Sequence, residues 1–156
     1  MRGKRVGTPG SGRRRVARGW HSIAIVQRHI LLVEDQDVAR EALAEILRDE
    51  GYVVTTAIGG WPAIAQIERD PPDLIISDVR MPQGDGLAML QDLRARPATA
   101  HIPVMLVSAF ADWDRRVTAE DLGADDLVGK PVDVDLLLER VRAQLRRAEA
   151  RATVEV

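Results

Sequence analysis

Five side chains in the 156-residue chain have the types and spacing to act together: Glu34, Asp35, Asp78, Ser108 and Lys130. Each stands just after a short apolar run, Ile30-Leu31-Leu32-Val33 before the Glu34-Asp35 pair, Leu74-Ile75-Ile76 before Asp78, Val104 to Val107 before Ser108, and Leu127-Val128 before Lys130. Such runs, bounded by turn chemistry, read as buried strands, so all five polar groups are expected at strand carboxyl ends. Alone, each acid is an ordinary loop residue. Three carboxylates gathered at one edge repel one another, and a hard divalent cation with oxygen ligands is the simplest neutraliser: Mg²⁺, with Mn²⁺ able to substitute. Lys130 stands out because only it and Lys4 are lysines among 22 basic residues. A compact ammonium suits a point contact to a phosphoryl oxygen or carboxylate better than a planar guanidinium does.

The elements that must position these groups can be read from the apolar pattern. The stretch DLIISDVRMPQGDG, residues 73–86, is central: its strand is entered through Pro71-Pro72, ends at Asp78, and gives way to the turn residues Met81-Pro82 and Gly84-Asp85-Gly86. Before it, a strand over 30–33 leads to a helix with Val38, Ala42, Leu43, Ile46 and Leu47 on its apolar face, closed by Gly51. A strand over 52–56 and a helix with Pro62 in its first turn and Ala63, Ile64 and Ile67 facing inward follow. After residue 86 the pattern predicts a helix carrying Leu87, Leu90 and Leu93, a strand over 104–107, a helix over about 112–122 ended by Gly123, a short strand over 126–128, and a last helix with Val134, Leu137, Leu138, Val141 and Leu145 on one stripe. Five strands alternating with five helices imply a parallel sheet covered on both faces. The fold class expected is α/β, a doubly wound (βα)5 flavodoxin-like three-layer sandwich with strand order 2-1-3-4-5, whose switch point lies between the first and third strands, the two that end in acids.

Length and a 46% hydrophobic content suit one domain. The expected division is a disordered basic tail over 1–27, a folded domain over 28–148 and a short tail over 149–156. Residues 1–28 hold eight Lys or Arg and no acid, which leaves 14 basic against 24 acidic residues, a net −10, for 29–156. A folded part that acidic is a poor binder of nucleic acid, and no DNA-binding domain is expected. There is no cysteine, which excludes disulfides and thiolate chemistry. No apolar run approaches the roughly 18 residues of a membrane span, so a cytoplasmic location is expected. Trp20 in the tail reads as incidental, and Trp61 as a partly exposed surface residue.

With these motifs in place, residues 29–147 resemble a response-regulator receiver domain (CheY-like) of bacterial two-component signalling. The matching segments are LLVEDQ, IISDVRMPQGDG, VMLVSA and GADDLVGKP, four in order, each at the end of an expected strand. The resemblance implies that Asp78 is the phosphoacceptor, that Glu34, Asp35, Asp78 and the backbone carbonyl of Arg80 hold Mg²⁺, that Ser108 and Lys130 contact the phosphoryl group, and that the bond before Pro131 is cis. It also implies a sensor histidine kinase or histidine phosphotransfer protein as phosphodonor, an unknown protein effector as output, and a monomer or weak dimer. The switch positions would be Ser108, Phe110 and Leu127. The last of these departs from the family, which places Tyr or Phe there; a leucine is expected to stay buried, leaving Phe110 and Trp113 after Ser108 to carry the change.

The function expected is thus a stand-alone receiver, not an enzyme beyond its own phosphorylation and dephosphorylation, that switches protein–protein interactions. A phosphorelay intermediate without its own output is the alternative. A phosphatase of similar fold would need a second Asp two residues after the nucleophile, where Arg80 stands, and a flavodoxin would need hydroxyls and amides where the first strand is followed by acids.

Overall fold

The computed structural model describes residues 27–109 and 119–154. The expected tail with Trp20, most of the helix over 112–122, and Phe110 and Trp113 lie outside them. Nine elements follow in order: β1 (His29–Val33), α1 (Asp37–Asp49), β2 (Val53–Ala57), α2 (Gly60–Arg69), β3 (Leu74–Asp78), α3 (Gly86–Ala95), β4 (Val104–Ser108), β5 (Asp126–Gly129) and α4 (Val134–Val154). All strand pairs are parallel and the sheet order is β2-β1-β3-β4-β5, the doubly wound order expected. The register sets Val33 beside Ser77, Asp78 beside Val107, and Ser108 beside Gly129, so the polar residues that end β1, β3, β4 and β5 come out at one edge.

Alternation along the strands divides the core in two. Leu31, Val33, Ile75, Val104 and Leu106 pack with Ala63 and Ile67 of α2 and Leu87, Met89, Leu90 and Leu93 of α3 on one face. Ile30, Leu32, Leu74, Ile76, Met105 and Val107 pack with Ala44 and Leu47 of α1 and Leu137, Leu138, Val141 and Leu145 of α4 on the other. The strands read as unbroken apolar runs because both faces are covered.

One expectation needs correction. Val38 and Ala42 do not lie on the buried face of α1: Val38 is 84% exposed and Ala44 is buried in their place. At about 100° per residue, Val38 stands on the side of the helix opposite Leu47, so the inward stripe is Leu43, Ala44, Ile46 and Leu47. The last helix runs through Val154. Ala and Arg in its last turns are strong helix formers, and Glu149 accepts from Arg28, tying the helix to the strand that begins the sheet. Near Gly123, residues 119–121 are helical, and Gly123 itself has φ 94°, a left-handed stop that a glycine adopts without strain.

The loop after β3 is built by close backbone approach. The Gly86 N–H donates to the Val79 carbonyl (2.7 Å), Asp85 caps α3 by accepting from the Leu87 N–H (2.7 Å), and the N–H groups of Gly60 and Trp61 at the start of α2 donate to the carbonyls of Gly84 and Gln83. A Cβ on Gly86 would stand 2.2 Å from the Asp78 carbonyl oxygen, a contact no side chain makes. Gly86→Ala is therefore expected to destabilise the protein by about 1–3 kcal/mol or more, because backbone rather than a flexible side chain must give way. Gly129→Ala, with nothing within 4 Å of the added carbon, should stay within about 0.5 kcal/mol of wild type. Urea midpoints of the two variants compare them directly.

Candidate functional site

The parallel sheet brings four of its strand ends together. Glu34 and Asp35 form most of the three-residue turn between β1 and α1, Asp78 is the last residue of β3, Ser108 the last of β4, and Lys130 follows β5. One carboxylate oxygen from each of Glu34, Asp35 and Asp78 lies within 4.8 Å of the other two. Lys130 reaches in from β5, its Nζ donating to Asp78 Oδ2 at 2.7 Å and standing 3.8 Å from Glu34 Oε2. Its backbone N–H donates to the Ser108 carbonyl at 2.9 Å, which fixes the ends of β4 and β5 to each other. The Lys130–Pro131 peptide bond is cis.

Each acid is held differently. Asp78 Oδ1 accepts from the Val79 N–H at 2.7 Å, and its carbonyl accepts from the buried Ser77 hydroxyl at 2.8 Å. Glu34 is buried and accepts from the Gln36 N–H at 3.3 Å. The Asp35 carboxylate lies within the field of Lys130 and adds to the negative charge that the ammonium faces. Ser108 is buried, with its hydroxyl donating to the Ala109 carbonyl at 3.2 Å. Arg80 lies exposed in the loop leaving β3.

Beneath the acids a cleft of about 220 Å³ runs between α1 and α4, floored by Leu32, Ile76 and Val107 and walled by Leu43, Ile46 and Val132. Glu34, Asp78 and Lys130 form its rim. This apolar setting explains the electrostatics: burial pushes the Glu34 carboxyl up to about 7, the negative charge of Asp78 adds to the rise, and Lys130 offsets part of it. Burial opposes the charge on Lys130 as well, yet the hydrogen bond from its ammonium to Asp78 and the charges of Asp78, Glu34 and Asp35 together hold it above the ordinary lysine value. The donor set is all oxygen and mostly anionic, which fits a hard cation and no soft one.

Sequence reasoning missed one residue here. Arg40, in the first turn of α1, donates from Nη1 to the Glu34 carbonyl (3.0 Å) and, at 3.5 Å, to the Asp35 carbonyl, and from Nη2 to Asp37 Oδ1 (2.5 Å). A basic residue at the positive end of a helix is the signal that could have found it, since nothing in the helix itself favours a cation there. Leu127 also differs from expectation: it is half-buried, packed at the margin of one core rather than inside it. β5 is an edge strand of the sheet, paired with β4 on one side only.

The doubly wound sheet with an acidic cluster at its carboxyl edge is that of a receiver domain, as comparison with known proteins shows. The family profile of the response regulator receiver domain matches residues 30–142, and the chain belongs to that family. Among characterised relatives, the transcriptional regulatory protein CseB of Streptomyces coelicolor is 39% identical over 121 residues, covering 78% of this chain and 50% of CseB. The chain spans about half the length of that relative. Among solved structures, a response regulator from Chloroflexus aurantiacus is 32% identical with a TM-score of 0.74, covering 77% of this chain and 98% of that one. A CheY-like receiver domain protein from Methanospirillum hungatei is 26% identical with a TM-score of 0.75, covering 80% and 98%. Receiver domains bind Mg²⁺ at an acidic pocket, and Glu34, Asp35 and Asp78 form an acidic cluster here. Among the described residues, no helix is long and apolar enough to cross a membrane.

The raised Glu34 pKa has a stability consequence. Between its unfolded value near 4.5 and its folded value of about 7, the folded, metal-free protein keeps a proton that the unfolded chain releases. Folding then binds protons, so this contribution is fully present below pH 4.5 and is lost as pH rises through 7. Urea midpoints of metal-free protein are expected to fall between pH 5 and pH 8, and Glu34→Gln, which carries no titrating group, should flatten that part of the profile.

Proposed function

We propose that this receiver accepts a phosphoryl group on Asp78 from a histidine kinase or a histidine phosphotransfer protein, in a Mg²⁺-dependent reaction, and that the acyl phosphate so formed switches its contacts with a protein effector. The observation that carries the reading is the hydrogen bond from Lys130 Nζ to Asp78 Oδ2 at 2.7 Å, across 52 positions of sequence, inside a cluster of three acids. It singles out one carboxylate of the three as the group that a cation is arranged to serve.

In this reading Asp78 is the nucleophile. A carboxylate oxygen forms the new O–P bond as the P–N bond of the donor phosphohistidine breaks and its electron pair returns to the imidazole nitrogen. Glu34, Asp35 and Asp78, with the Arg80 carbonyl, would hold Mg²⁺, which when bound supplies neutralisation of the phosphoryl oxygens. Lys130 already lies against Asp78 and can transfer its hydrogen bond to a phosphoryl oxygen with little movement. The Ser108 hydroxyl, which donates to the neighbouring Ala109 carbonyl, can rotate to donate to the same group. Its movement would carry the switch into the segment that bears Phe110. Leu127, half-buried beside Leu106 of β4, has no polar tip to anchor it in water, so it follows the change by packing alone.

Asp78→Asn is expected to abolish labelling by acetyl phosphate or phosphoramidate, because an amide does not attack phosphorus. Incorporation at the wild-type rate would overturn the assignment. Asp35→Ala should remain folded, bind Mg²⁺ far more weakly and lose most labelling, as calorimetry and radiolabel incorporation on the same preparation would record.

A further inference from the structure

We propose that Arg40 is a positioning residue for the cation site: by donating back across the β1–α1 turn it aims the carboxylates of Glu34 and Asp35 at Asp78. The inference rests on the reading of those acids as Mg²⁺ ligands. The turn is only Glu34, Asp35 and Gln36, and Arg40 hydrogen-bonds to the backbone of its first two residues. The Arg40 side chain is 13% exposed although that of its partner Asp37 is 80% exposed, so Arg40 lies against the turn rather than reaching into solvent after a surface acid. Asp35 is where such help is needed. Glu34 has the Gln36 N–H and Lys130 to orient its side chain, and Asp78 has the Val79 N–H and Lys130, whereas Lys130 acts on Asp35 through charge and the hydrogen bond from Arg40 falls on the Asp35 backbone. Its direction is set through its backbone, and the side chain that grips that backbone is Arg40. Gln36, at the N-cap of α1, makes no side-chain cap, so the helix start does not do this work by itself.

Charge and geometry pull in opposite directions here, which makes the idea testable. A positive charge beside a cation site weakens Mg²⁺ binding, so removing it should tighten binding if charge is all that matters. If Arg40 acts by geometry, removing it should weaken binding despite the relief of repulsion. Lysine keeps the charge but lacks the planar fork that can serve the Glu34 and Asp35 carbonyls and Asp37 together.

The experiment is calorimetric titration of Mg²⁺ into the full chain at pH 8, for wild type, Arg40→Lys, Arg40→Gln and Asp35→Ala, with thermal unfolding of each. Arg40→Lys and Arg40→Gln are both expected to weaken Mg²⁺ by about tenfold, as is usual for groups that orient metal ligands. Wild-type affinity in Arg40→Lys with tighter binding in Arg40→Gln would show a charge effect and overturn the inference. Wild-type affinity in both, with lowered melting temperatures, would show a purely structural role and overturn it too. Should Arg40→Gln fail to fold, Arg40→Lys alone decides. Asp35→Ala separates the two layers: if it binds Mg²⁺ like wild type, the reading of the site is wrong, and if it loses Mg²⁺ while the Arg40 variants keep it, only the role of Arg40 is.

Discussion

Three carboxylates at one end of a parallel sheet, with a single ammonium among them, set the constraint on which the rest of this structure depends. Like charges about 4 to 5 Å apart repel by roughly 3–4 kcal/mol at an effective dielectric of about 20, and the apolar cleft below the acids keeps water from screening them fully. The protein answers in two ways. Lys130 pairs with Asp78 and lies near Glu34, and Glu34 takes up a proton near neutrality, which removes one of the three charges. A bound divalent cation does the same more completely. The site is therefore built at some expense to stability in its empty state, the usual sign of a place kept for function.

That expense is carried by a core that does not depend on the site. The two apolar layers, one under α2 and α3 and the other under α1 and α4, are continuous from strand to strand and contain almost no polar groups. Interior strands buried on both faces hold the register in which Val33, Asp78 and Ser108 end together, since a slip of one residue would turn every apolar side chain to the wrong face. Away from the site, Arg94 ties α3 to the segments leading into β4 and β5 by donating to the carbonyls of Ile102 and Gly123 and to Asp125, whose carboxylate also accepts from the Val104 N–H. The two strands that carry Ser108 and Lys130 are thus aligned from their beginnings as well as their ends.

Much of this was legible in the chain alone. The order and type of the elements follow from apolar period and turn residues, because in a parallel sheet covered on both faces the strands must be unbroken apolar runs and the helices amphipathic. The five candidate side chains were legible for a related reason: each stands within two residues of the end of such a run, and in a doubly wound sheet those positions share one edge. Glu34, Asp35, Asp78, Ser108 and Lys130 needed only the topology to be brought together.

What the sequence could not decide lies in distances and in what surrounds each group. Whether Lys130 chooses Asp78 or Glu34, how far Glu34 is withdrawn from water, and which atom orients Asp35 depend on contacts between residues far apart in sequence or on a side chain's path along a turn, and none of these has a periodic signature. Val38 shows the same limit within one helix, since its apolar character says buried while the angle at which α1 meets the sheet leaves it in solvent. The amino-acid pattern names the acids and their strands; only the folded chain sets a cleft under Glu34 and turns Arg40 back on the turn, because burial and hydrogen-bond direction are properties of packed neighbours rather than of residue type.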